Sequence, residues 1–466
     1  MGLGVHGGGL GVARWLLRQG VQVTVTDMAS PEALAASVAA LAETEQETGN
    51  RVHYVLGEHR ADDFTGHQIV VANPAVRPDS PWLKLAHAAG VPVETEMTIF
   101  FRLCRGPILG ITGTKGKTTT TMLTGAILRQ HYPDTVVAGN LRVSALAALD
   151  QITPATPVVL ELSSFQLVGL GAARLSPHYA CITNFSPDHL NYHGTMDAYA
   201  EAKQQIFLHQ DAAGRVVLHT DLLPLFYPPA VATQRPPESL ITFDAQPDSK
   251  ADCRLDADGT LFYAGEAILT LDDVRLHGPH NRENVLAAVA LARSFGIDAA
   301  QIRAAVRNFG GVEHRLETVR MLKGVRYIND TTATNPVAAT AALKSFQEPI
   351  VLIAGGAAKG LDSSGFAVAI AEHARAVVLL QGSATTQLEQ ELWAALNRNG
   401  RKVMLAGTFD TLETAVRAAR RIAQPGDVVL LSPGCASFGM FHNEFHRGEE
   451  FRRIVQSLPE TDVSDE

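Results

Sequence analysis

The chain has 466 residues, of which 46% are hydrophobic and 19% are charged, and its formal net charge at pH 7 is -9. A chain of this length exceeds what a single hydrophobic core usually serves, so we expect two or three domains, and its negative charge argues against a nucleic-acid partner. The four cysteines lack C-x-x-C spacing and no apolar run is long enough to span a bilayer, so we expect a reduced cytoplasmic protein without membrane insertion.

The first thirty residues predict a glycine turn, a helix from about Leu10 to Gln19 and a strand from Val21 to Thr26. The turn contains Gly2-x-Gly4-x-x-Gly7, and Asp27 follows the strand. Such a turn brings backbone N–H groups against a pyrophosphate, while the carboxylate can accept a hydrogen bond from a ribose or base. We therefore predict a nucleotide-diphosphate site, with a purely structural glycine turn as the alternative.

A second glycine loop, Thr112-Gly-Thr-Lys-Gly-Lys-Thr-Thr119, lies between a predicted strand and a predicted helix. In this setting backbone amides cradle phosphates, Lys117 reaches the terminal phosphates and the Thr118 hydroxyl binds Mg²⁺. The loop departs from the common G-x-x-x-x-G-K-[ST] pattern, because Ile111 stands where the first glycine would be. We predict an ATP site formed by Gly113, Thr114, Lys115, Gly116, Lys117, Thr118 and Thr119.

The remaining chain predicts antiparallel hairpins over about 215–277, from segments such as ESLITFDA and TLFYAGEAIL, and then a hinge at Gly310 and Gly311. Alternating strands and helices follow, with a closing helix near Gly448–Ser457. We expect an α/β protein of three domains: a Rossmann-like domain over 1–98, a central P-loop ATPase-like domain with β hairpins over 99–311, and a Rossmann-like domain over 312–466.

Two nucleotide sites in successive domains indicate an ATP-driven reaction on a nucleotide-linked substrate. The order of motifs resembles the Mur ligases of peptidoglycan synthesis over essentially the whole chain. The segments that carry this resemblance are Leu160-Glu-Leu-Ser-Ser-Phe-Gln-Leu167, Ser186-Pro-Asp-His189, Tyr199-Ala-Glu-Ala-Lys203, His280-Asn-Arg-Glu-Asn284, His314-Arg315 and Ser432-Pro-Gly-Cys-Ala-Ser437. The first and last are similar to the branch that adds D-glutamate, whereas the D-N-P-R signature of a diaminopimelate-adding member is absent.

The resemblance implies an ATP-dependent ligase that adds D-glutamate to UDP-N-acetylmuramoyl-L-alanine through an acyl phosphate, at a site assembled where the three domains meet. It implies that Lys117, Glu161, His189 and Lys203 are catalytic. It also implies two Mg²⁺ ions held by Thr118, Glu161 and His189, with Lys203 as a further ligand if CO₂ carbamylates it. Glu161 ends an apolar strand, where a carboxylate can reach Mg²⁺ beside a triphosphate.

The same resemblance assigns the remaining contacts to three groups. ATP would also contact Asn281, Asn284, Arg315 and Asp330. The UDP-linked substrate would contact Gly4, Val5, His6, Asp27, Asn73 and Asn140, and the amino acid would contact Lys359, Ser437 and Phe438. Two departures from the family pattern put contacts in doubt: Thr332 stands where the family has a lysine, and Glu444 stands where it has a phenylalanine, which Phe445 could replace.

Simpler interpretations remain open for individual residues. Lys203 would ordinarily be a solvent-facing lysine, His189 a structural histidine, Asn281 and Asn284 a helix cap and its neighbour, and Lys359 a loop lysine. Other functions are a related ligase that adds L-glutamate or extends folylpolyglutamate, or a nucleotide-binding regulator without turnover. An NAD dehydrogenase is suggested only by the first glycines. We expect a monomer.

Overall fold

The computed structural model describes residues 1–4, 8–141, 144–276, 278–358 and 361–460. It divides into two compact units. Unit 1 comprises Met1–Val274 with Pro279–Phe309, and unit 2 comprises Arg275–Gly278 with the chain from Gly310 onward. Both units contain largely parallel sheets with helices between successive strands, which confirms the predicted α/β class. Within the described residues, no helix has the length and apolar character needed to cross a bilayer.

The first part of unit 1 contains two short parallel strand pairs. Their strands are β1 (Val23–Asp27) with β2 (Val52–Leu56), and β3 (Val70–Val71) with β4 (Val93–Glu94). The helices of this part are α1 (Gly8–Arg18), α2 (Ala35–Thr48), α3 (Asp62–Thr65), α4 (Pro81–Ala88) and α5 (Glu96–Leu103). Helix α1 begins at Gly8, two residues before its predicted start at Leu10. Strand β1 begins at Val23, two residues after its predicted start at Val21. Leu17 and Leu41 bury the apolar faces of α1 and α2 against this strand pair.

A nine-stranded sheet forms the centre of unit 1, in the order β13-β12-β11-β10-β9-β8-β5-β7-β6. Its strands are β5 (Ile108–Thr112), β6 (Val136–Gly139), β7 (Val158–Glu161), β8 (Tyr179–Ile182), β9 (Arg215–His219), β10 (Leu240–Asp244), β11 (Cys253–Leu255), β12 (Thr260–Tyr263) and β13 (Glu266–Thr270). Its helices are α6 (Lys117–Leu128), α7 (Ser164–Ala172), α8 (Leu190–His193), α9 (Met196–Gln204), α10 (Leu223–Phe226), α11 (Pro229–Ala232), α12 (Pro279–Ser294) and α13 (Ala299–Asn308). Strands β5 and β7 are buried along their whole length, as expected for central parallel strands.

The predicted hairpins are correct only for the end of this sheet. Strands β11, β12 and β13 pair antiparallel, and Asp256–Gly259 forms the first of their turns. Strand β10, which ESLITFDA was expected to place in a hairpin, is instead parallel to both β9 and β11. The reason is the connection from β9 to β10, which contains the short helices α10 and α11 and two short 3-10 helices and is long enough to return the chain to the same end of the sheet.

Unit 2 contains a six-stranded sheet in the order β14-β15-β19-β16-β17-β18, parallel except for the β14–β15 pair. Its strands are β14 (Glu317–Leu322), β15 (Val325–Asn329), β16 (Ile350–Gly355), β17 (Ala374–Leu380), β18 (Met404–Phe409) and β19 (Val428–Leu431). Its helices are α14 (Pro336–Leu343), α15 (Ser364–His373), α16 (Thr385–Asn399), α17 (Leu412–Ile422) and α18 (Glu444–Ser457). Helix α18 begins four residues before the predicted start at Gly448, because the Asn443 side chain caps it by accepting a hydrogen bond from His446 N.

Candidate active site

The loop Gly113–Gly116 joins strand β5 to helix α6 and has the form of a phosphate-binding loop. Gly116 caps the helix with a φ of 77°, a left-handed conformation that favours glycine. Lys117, the first helical residue, turns its Nζ back to donate to the carbonyl oxygens of Gly113 at 3.1 Å and Thr114 at 3.2 Å. A cation and the N–H groups of a helix start thus lie together, which favours binding of a polyanion.

Two residues after strand β8 hold this loop in place, and the sequence analysis missed both. Thr183 Oγ1 donates to the Lys115 carbonyl at 2.7 Å, and Asn184 exchanges hydrogen bonds of 2.8 and 2.9 Å with the Lys115 backbone. A Cβ at Gly113 would overlap Thr183 Oγ1, so only glycine fits there. The sequence signal was a polar Thr-Asn pair at the carboxyl end of an apolar strand.

Three predicted residues converge beside the start of helix α6. The Thr118 hydroxyl donates to Glu161 Oε2 at 2.7 Å, and Asn140 Nδ2 donates to Glu161 Oε1 at 2.8 Å. Glu161 is 2% exposed and ends strand β7, which pairs directly with β5. Thr119 is buried in the same turn of α6. Carboxylate, hydroxyl and amide oxygens suit Mg²⁺, so this cluster fits the ion that the phosphate loop implies.

Lys203 is buried beneath the phosphate loop rather than exposed to solvent. It is 1% exposed, and its Nζ donates to the Gly113 carbonyl at 2.8 Å and lies 4.6 Å from the centre of the Tyr199 ring. Burial and, to a smaller extent, the nearby charge of Lys117 lower the pKa of this amine to about 7, while Asp188 opposes the shift. A substantial fraction of Lys203 is therefore a neutral amine at neutral pH.

His189 lies at the start of helix α8, close to the same group of residues. Its backbone is left-handed, with a φ of 52°, and its ring packs edge-on against Phe165 at 5.0 Å. Burial lowers the pKa of His189, as do the charges of neighbouring lysines, whereas Asp188 raises it. Lys115 Nζ lies 3.5 Å from the Asp188 carboxylate, which links the phosphate loop to this segment. The structure thus places a largely neutral imidazole near the loop.

Asn281 and Asn284 lie near the start of helix α12, and Asn284 lies next to Gly116 of the phosphate loop. Asn284 Nδ2 donates to Asn281 Oδ1 at 2.9 Å, and both side chains are buried. A Cβ at Gly116 would overlap Asn284 Oδ1. Because the helix begins at Pro279, neither asparagine is its cap, so the simpler interpretation of these residues is wrong.

The predicted UDP-binding residues fall into two places within unit 1. Asp27 accepts hydrogen bonds from the Gly4 N–H at 3.0 Å and the Ala29 N–H at 2.9 Å, while Asn73 donates to the Gly2 carbonyl at 3.3 Å. Asn140, by contrast, lies with Glu161. Val5 and His6 lie outside the described residues. The Asp27 carboxylate therefore ties the Gly4 backbone to the end of strand β1.

Unit 2 brings Asp330 to the carboxyl end of strand β15. Its Oδ2 accepts from the Ser432 hydroxyl at 2.7 Å and its Oδ1 from the Leu316 N–H at 3.2 Å, next to Arg315. Burial raises the pKa of Asp330 to about 7, although these hydrogen bonds and the charge of Arg315 oppose the shift. The carboxyl group is therefore poised between its two protonation states at neutral pH.

The loop after strand β19 contains the other predicted residues of unit 2. Ser437 is buried, whereas the Phe438 side chain is 60% exposed. Ala436 exchanges two backbone hydrogen bonds of 3.0 Å with Ala357, which joins this loop to the one after strand β16. Lys359 follows in that second loop but lies outside the described residues. The bridge places Ala357 beside Ala436.

At the two departures from the family pattern, Thr332 has a hydrogen-bond partner and Glu444 is followed by an aromatic ring. Thr332 Oγ1 donates to the His314 carbonyl at 2.9 Å, so the hydroxyl stabilises the turn that carries Arg315. Glu444 begins helix α18, and the Phe445 ring packs edge-on against His314 with a centroid distance of 5.7 Å. Phe445 thus places an aromatic ring beside His314, one residue after the position where the family has phenylalanine.

Comparison with known proteins covers most of the chain. Family models match residues 1–95 as the Mur ligase MurD-like N-terminal domain, 111–292 as the Mur ligase middle domain and 314–435 as the Mur ligase glutamate ligase domain. A UDP-N-acetylmuramoylalanine–D-glutamate ligase from Roseiflexus sp. (strain RS-1) is 56% identical over 98% of each chain. A ligase of the same name from Symbiobacterium thermophilum is 38% identical over 98% of this chain and 97% of its own.

Solved structures show the same fold at lower identity. The UDP-N-acetylmuramate–alanine ligase MurC from Thermotoga maritima has a TM-score of 0.59 at 22% identity, covering 98% of each chain. MurF from Acinetobacter baumannii has a TM-score of 0.61 at 17% identity, covering 96% of this chain and 98% of its own. The expected arrangement of N-terminal, central and C-terminal α/β domains is confirmed, while the residue boundaries of those domains stay a prediction. With family models over most of its length and relatives similar from end to end, the chain belongs to the Mur ligase family.

Proposed function

We propose that the chain joins D-glutamate to UDP-N-acetylmuramoyl-L-alanine in an ATP-dependent step of peptidoglycan precursor synthesis. The observation that carries the chemistry is the convergence of Thr118, Glu161 and Lys203 on the phosphate loop. The substrates follow from the relatives of that name, which match this chain from end to end. The buried carboxylate and lysine argue against a regulator without turnover, since unpaired charged groups are costly to bury.

ATP would bind with its terminal phosphates against the Gly113–Gly116 loop and the Lys117 amine. Asn281, Asn284, Arg315 and Asp330 would bind the rest of the nucleotide. Glu161 and Thr118 would hold one Mg²⁺, and His189 with a carbamylated Lys203 would hold a second. When bound, Mg²⁺ supplies positive charge against the phosphate oxygens.

The reaction we propose has two steps. An oxygen of the alanyl carboxylate attacks the γ-phosphorus, the bond from that phosphorus to ADP breaks, and an acyl phosphate forms. The amine of D-glutamate then attacks the carbonyl carbon, the tetrahedral intermediate collapses with loss of phosphate, and the amine proton passes to solvent. Lys117 and the loop amides stabilise the charge that develops on the transferred group.

Lys203 would act as a carbamate rather than as an amine. Its neutral amine attacks CO₂, an N–C bond forms, and one proton leaves to solvent. The product is an anionic group with two oxygens in place of a cation. The support for this step is the burial of Lys203 and the lowered pKa of about 7, which supplies the neutral nucleophile.

The two substrates that are joined would be held by different parts of the chain. Gly4, Val5 and His6 of the glycine turn, together with Asp27 and Asn73, would bind the UDP part, and Asn140 would contact the muramoyl part. Lys359 would pair with the side-chain carboxylate of glutamate, and Ser437 with the Phe438 backbone would hold its other end. We also propose that the protein acts as a cytoplasmic monomer, which light scattering on the purified chain would test.

Isotope transfer tests this function and its mechanism together. UDP-N-acetylmuramoyl-L-alanine labelled with ¹⁸O in the alanyl carboxylate is incubated with ATP, Mg²⁺ and D-glutamate, and the released phosphate is examined by mass spectrometry. The acyl-phosphate route moves one labelled oxygen into phosphate. Product formation with unlabelled phosphate would refute the mechanism, and no product with any amino acid would refute the function.

A further inference from the structure

A buried arginine connects the functional loops of unit 2. Arg447 is the fourth residue of helix α18 and is 1% exposed. Its Nε donates to the Thr331 hydroxyl at 2.9 Å, and its Nη2 donates to the Thr331 carbonyl at the same distance. Nη1 and Nη2 also approach the Cys435 carbonyl at 3.4 and 3.5 Å. One guanidinium on helix α18 therefore joins two segments, one containing Thr331, 116 residues earlier, and one containing Cys435, 12 residues earlier.

The hydrogen-bond acceptors of this guanidinium are uncharged, while the charge of Glu444 acts on it from the first residue of the same helix. Within the described part of the chain, its hydrogen-bond acceptors are one hydroxyl and two carbonyl oxygens. Burial lowers the pKa of Arg447 to about 10, so the group still carries its charge at neutral pH. A cation in the first turns of a helix is also disfavoured by the helix dipole. An apolar side chain would fill the same space at lower cost in free energy, so packing alone gives no reason for an arginine here.

The two segments that Arg447 joins each lead to residues of the proposed site. Thr331 directly follows Asp330, the carboxyl group beside Arg315. Cys435 lies two residues before Ser437, in the loop that Ala436 ties to Ala357. The Thr331 hydroxyl in turn donates to the Glu444 carbonyl at 2.7 Å, which closes the connection back to helix α18. These hydrogen bonds fix the loop that contains Cys435 and Ser437 relative to the turn after strand β15.

We propose that Arg447 is a positioning residue for the amino-acid subsite, holding the Cys435–Ser437 loop in register with Thr331. This inference rests on the proposed function, since it concerns the subsite for the incoming dicarboxylate. Arg447 does not touch the substrate itself. Its positive charge, which the nearby Glu444 partly offsets, also favours the binding of a dicarboxylate close to that loop.

The test is a comparison of Michaelis constants for all three substrates in the purified full-length protein. We expect Arg447→Met to raise KM for D-glutamate about ten-fold or more, with KM for ATP within about two-fold of wild type, because a small displacement of a positioning loop weakens contacts strongly. The KM of Arg447→Lys for D-glutamate should lie between the values of wild type and Arg447→Met. The control is Arg453→Met, an exposed arginine of the same helix that pairs with Glu450.

A second pair of variants keeps the inference testable if Arg447→Met does not fold. Thr331→Val removes the hydroxyl that Arg447 contacts, whereas Thr331→Ser retains it. We expect the valine variant to raise KM for D-glutamate and the serine variant to restore it. Wild-type protein that releases no phosphate with D-glutamate would overturn the proposed function and this inference with it. Active wild type with unchanged KM for D-glutamate in these variants, or with all three constants raised equally, would overturn the inference alone.

Discussion

The Thr118 hydroxyl and the Glu161 carboxylate form a hydrogen bond of 2.7 Å between the first turn of helix α6 and the end of strand β7. This contact joins the residue that follows the phosphate-loop lysine to a buried acid on the neighbouring strand. The two oxygen atoms that we propose as Mg²⁺ ligands therefore come from a helix and from the strand beside it. Several consequences of the proposed chemistry can be measured separately.

Replacing Glu161 with glutamine should abolish most of the activity without unfolding the protein. The amide keeps the shape and one acceptor oxygen but removes the negative charge that would face Mg²⁺. We expect kcat to fall by about 100-fold or more, while the melting temperature changes by about 3 °C or less. Glu201→Gln, on an exposed face of helix α9, is the control. Activity of Glu161→Gln close to wild type would show that this carboxylate holds no metal needed for the reaction.

The proposed carbamate on Lys203 predicts that activity depends on dissolved CO₂. The neutral amine becomes more abundant as the pH rises through about 7, so CO₂ depletion should lower activity most at pH 6 and bicarbonate should restore it. With ¹³C-labelled bicarbonate, NMR should show a carbamate resonance that disappears in Lys203→Met and persists in Lys84→Met, which removes an exposed lysine. A spectrum that is identical for wild type and Lys203→Met would rule out the modification.

Gly116→Ala should weaken nucleotide binding because of a specific overlap. A Cβ at this position would meet Asn284 Oδ1 and would also force alanine into a left-handed backbone with a φ of 77°. Gly20→Ala, where φ is 74° and the space is open, separates these two effects, since it carries the backbone strain of about 1 kcal/mol alone. Calorimetric titration with ADP should show a loss of affinity for Gly116→Ala only. Equal affinity for ADP in both variants would contradict contact between Asn284 and the loop.

Asp330→Asn should change how stability depends on pH. Because the folded-state pKa is raised to about 7 from 3.8, the folded chain holds more protons than the unfolded chain between about pH 4 and 7. The contribution of Asp330 to stability therefore falls as pH rises through that window. Asparagine cannot ionise, so we expect the variant to be the more stable protein at pH 8, by about 1 kcal/mol or more, and to lose activity.

Urea unfolding at pH 5 and pH 8 measures this difference directly. Asp258→Asn, in the exposed turn between strands β11 and β12, provides the control for a lost surface charge. We expect the difference in free energy of unfolding between Asp330→Asn and wild type to increase from pH 5 to pH 8. A gap of constant size would mean that the pKa of Asp330 is not raised.

The sequence predicted the central part of the site because the relevant groups follow strands. Glu161 ends an apolar strand, and the phosphate loop follows another, so neighbouring parallel strands had to bring them to one edge of the sheet. Assignment to the Mur ligases is likewise confirmed, since the motifs occur in order through the whole chain. By contrast, the burial of Lys203 could be inferred only from resemblance, because a lysine among alanines on a short helix gives no sign of which side it faces.

The features that the sequence did not predict depend on contacts between distant segments, which the local residue pattern does not reveal. Strand β10 alternates like a hairpin strand, but its direction depends on the length and path of the connection before it. Thr183 and Asn184 act through backbone contacts with a loop about seventy residues earlier in the chain. Arg447 lies in a charged helix whose composition suggests an exposed face. Such tertiary contacts become visible only once the segments are brought together.

The central claim is tested most directly by phosphate release that depends on the added amino acid. Purified protein is given ATP, Mg²⁺ and UDP-N-acetylmuramoyl-L-alanine, and release is measured with D-glutamate, L-glutamate and a small panel of other amino acids. The account predicts release with D-glutamate well above that with every other amino acid. A preference for another amino acid, or release that is the same with and without one, would contradict it.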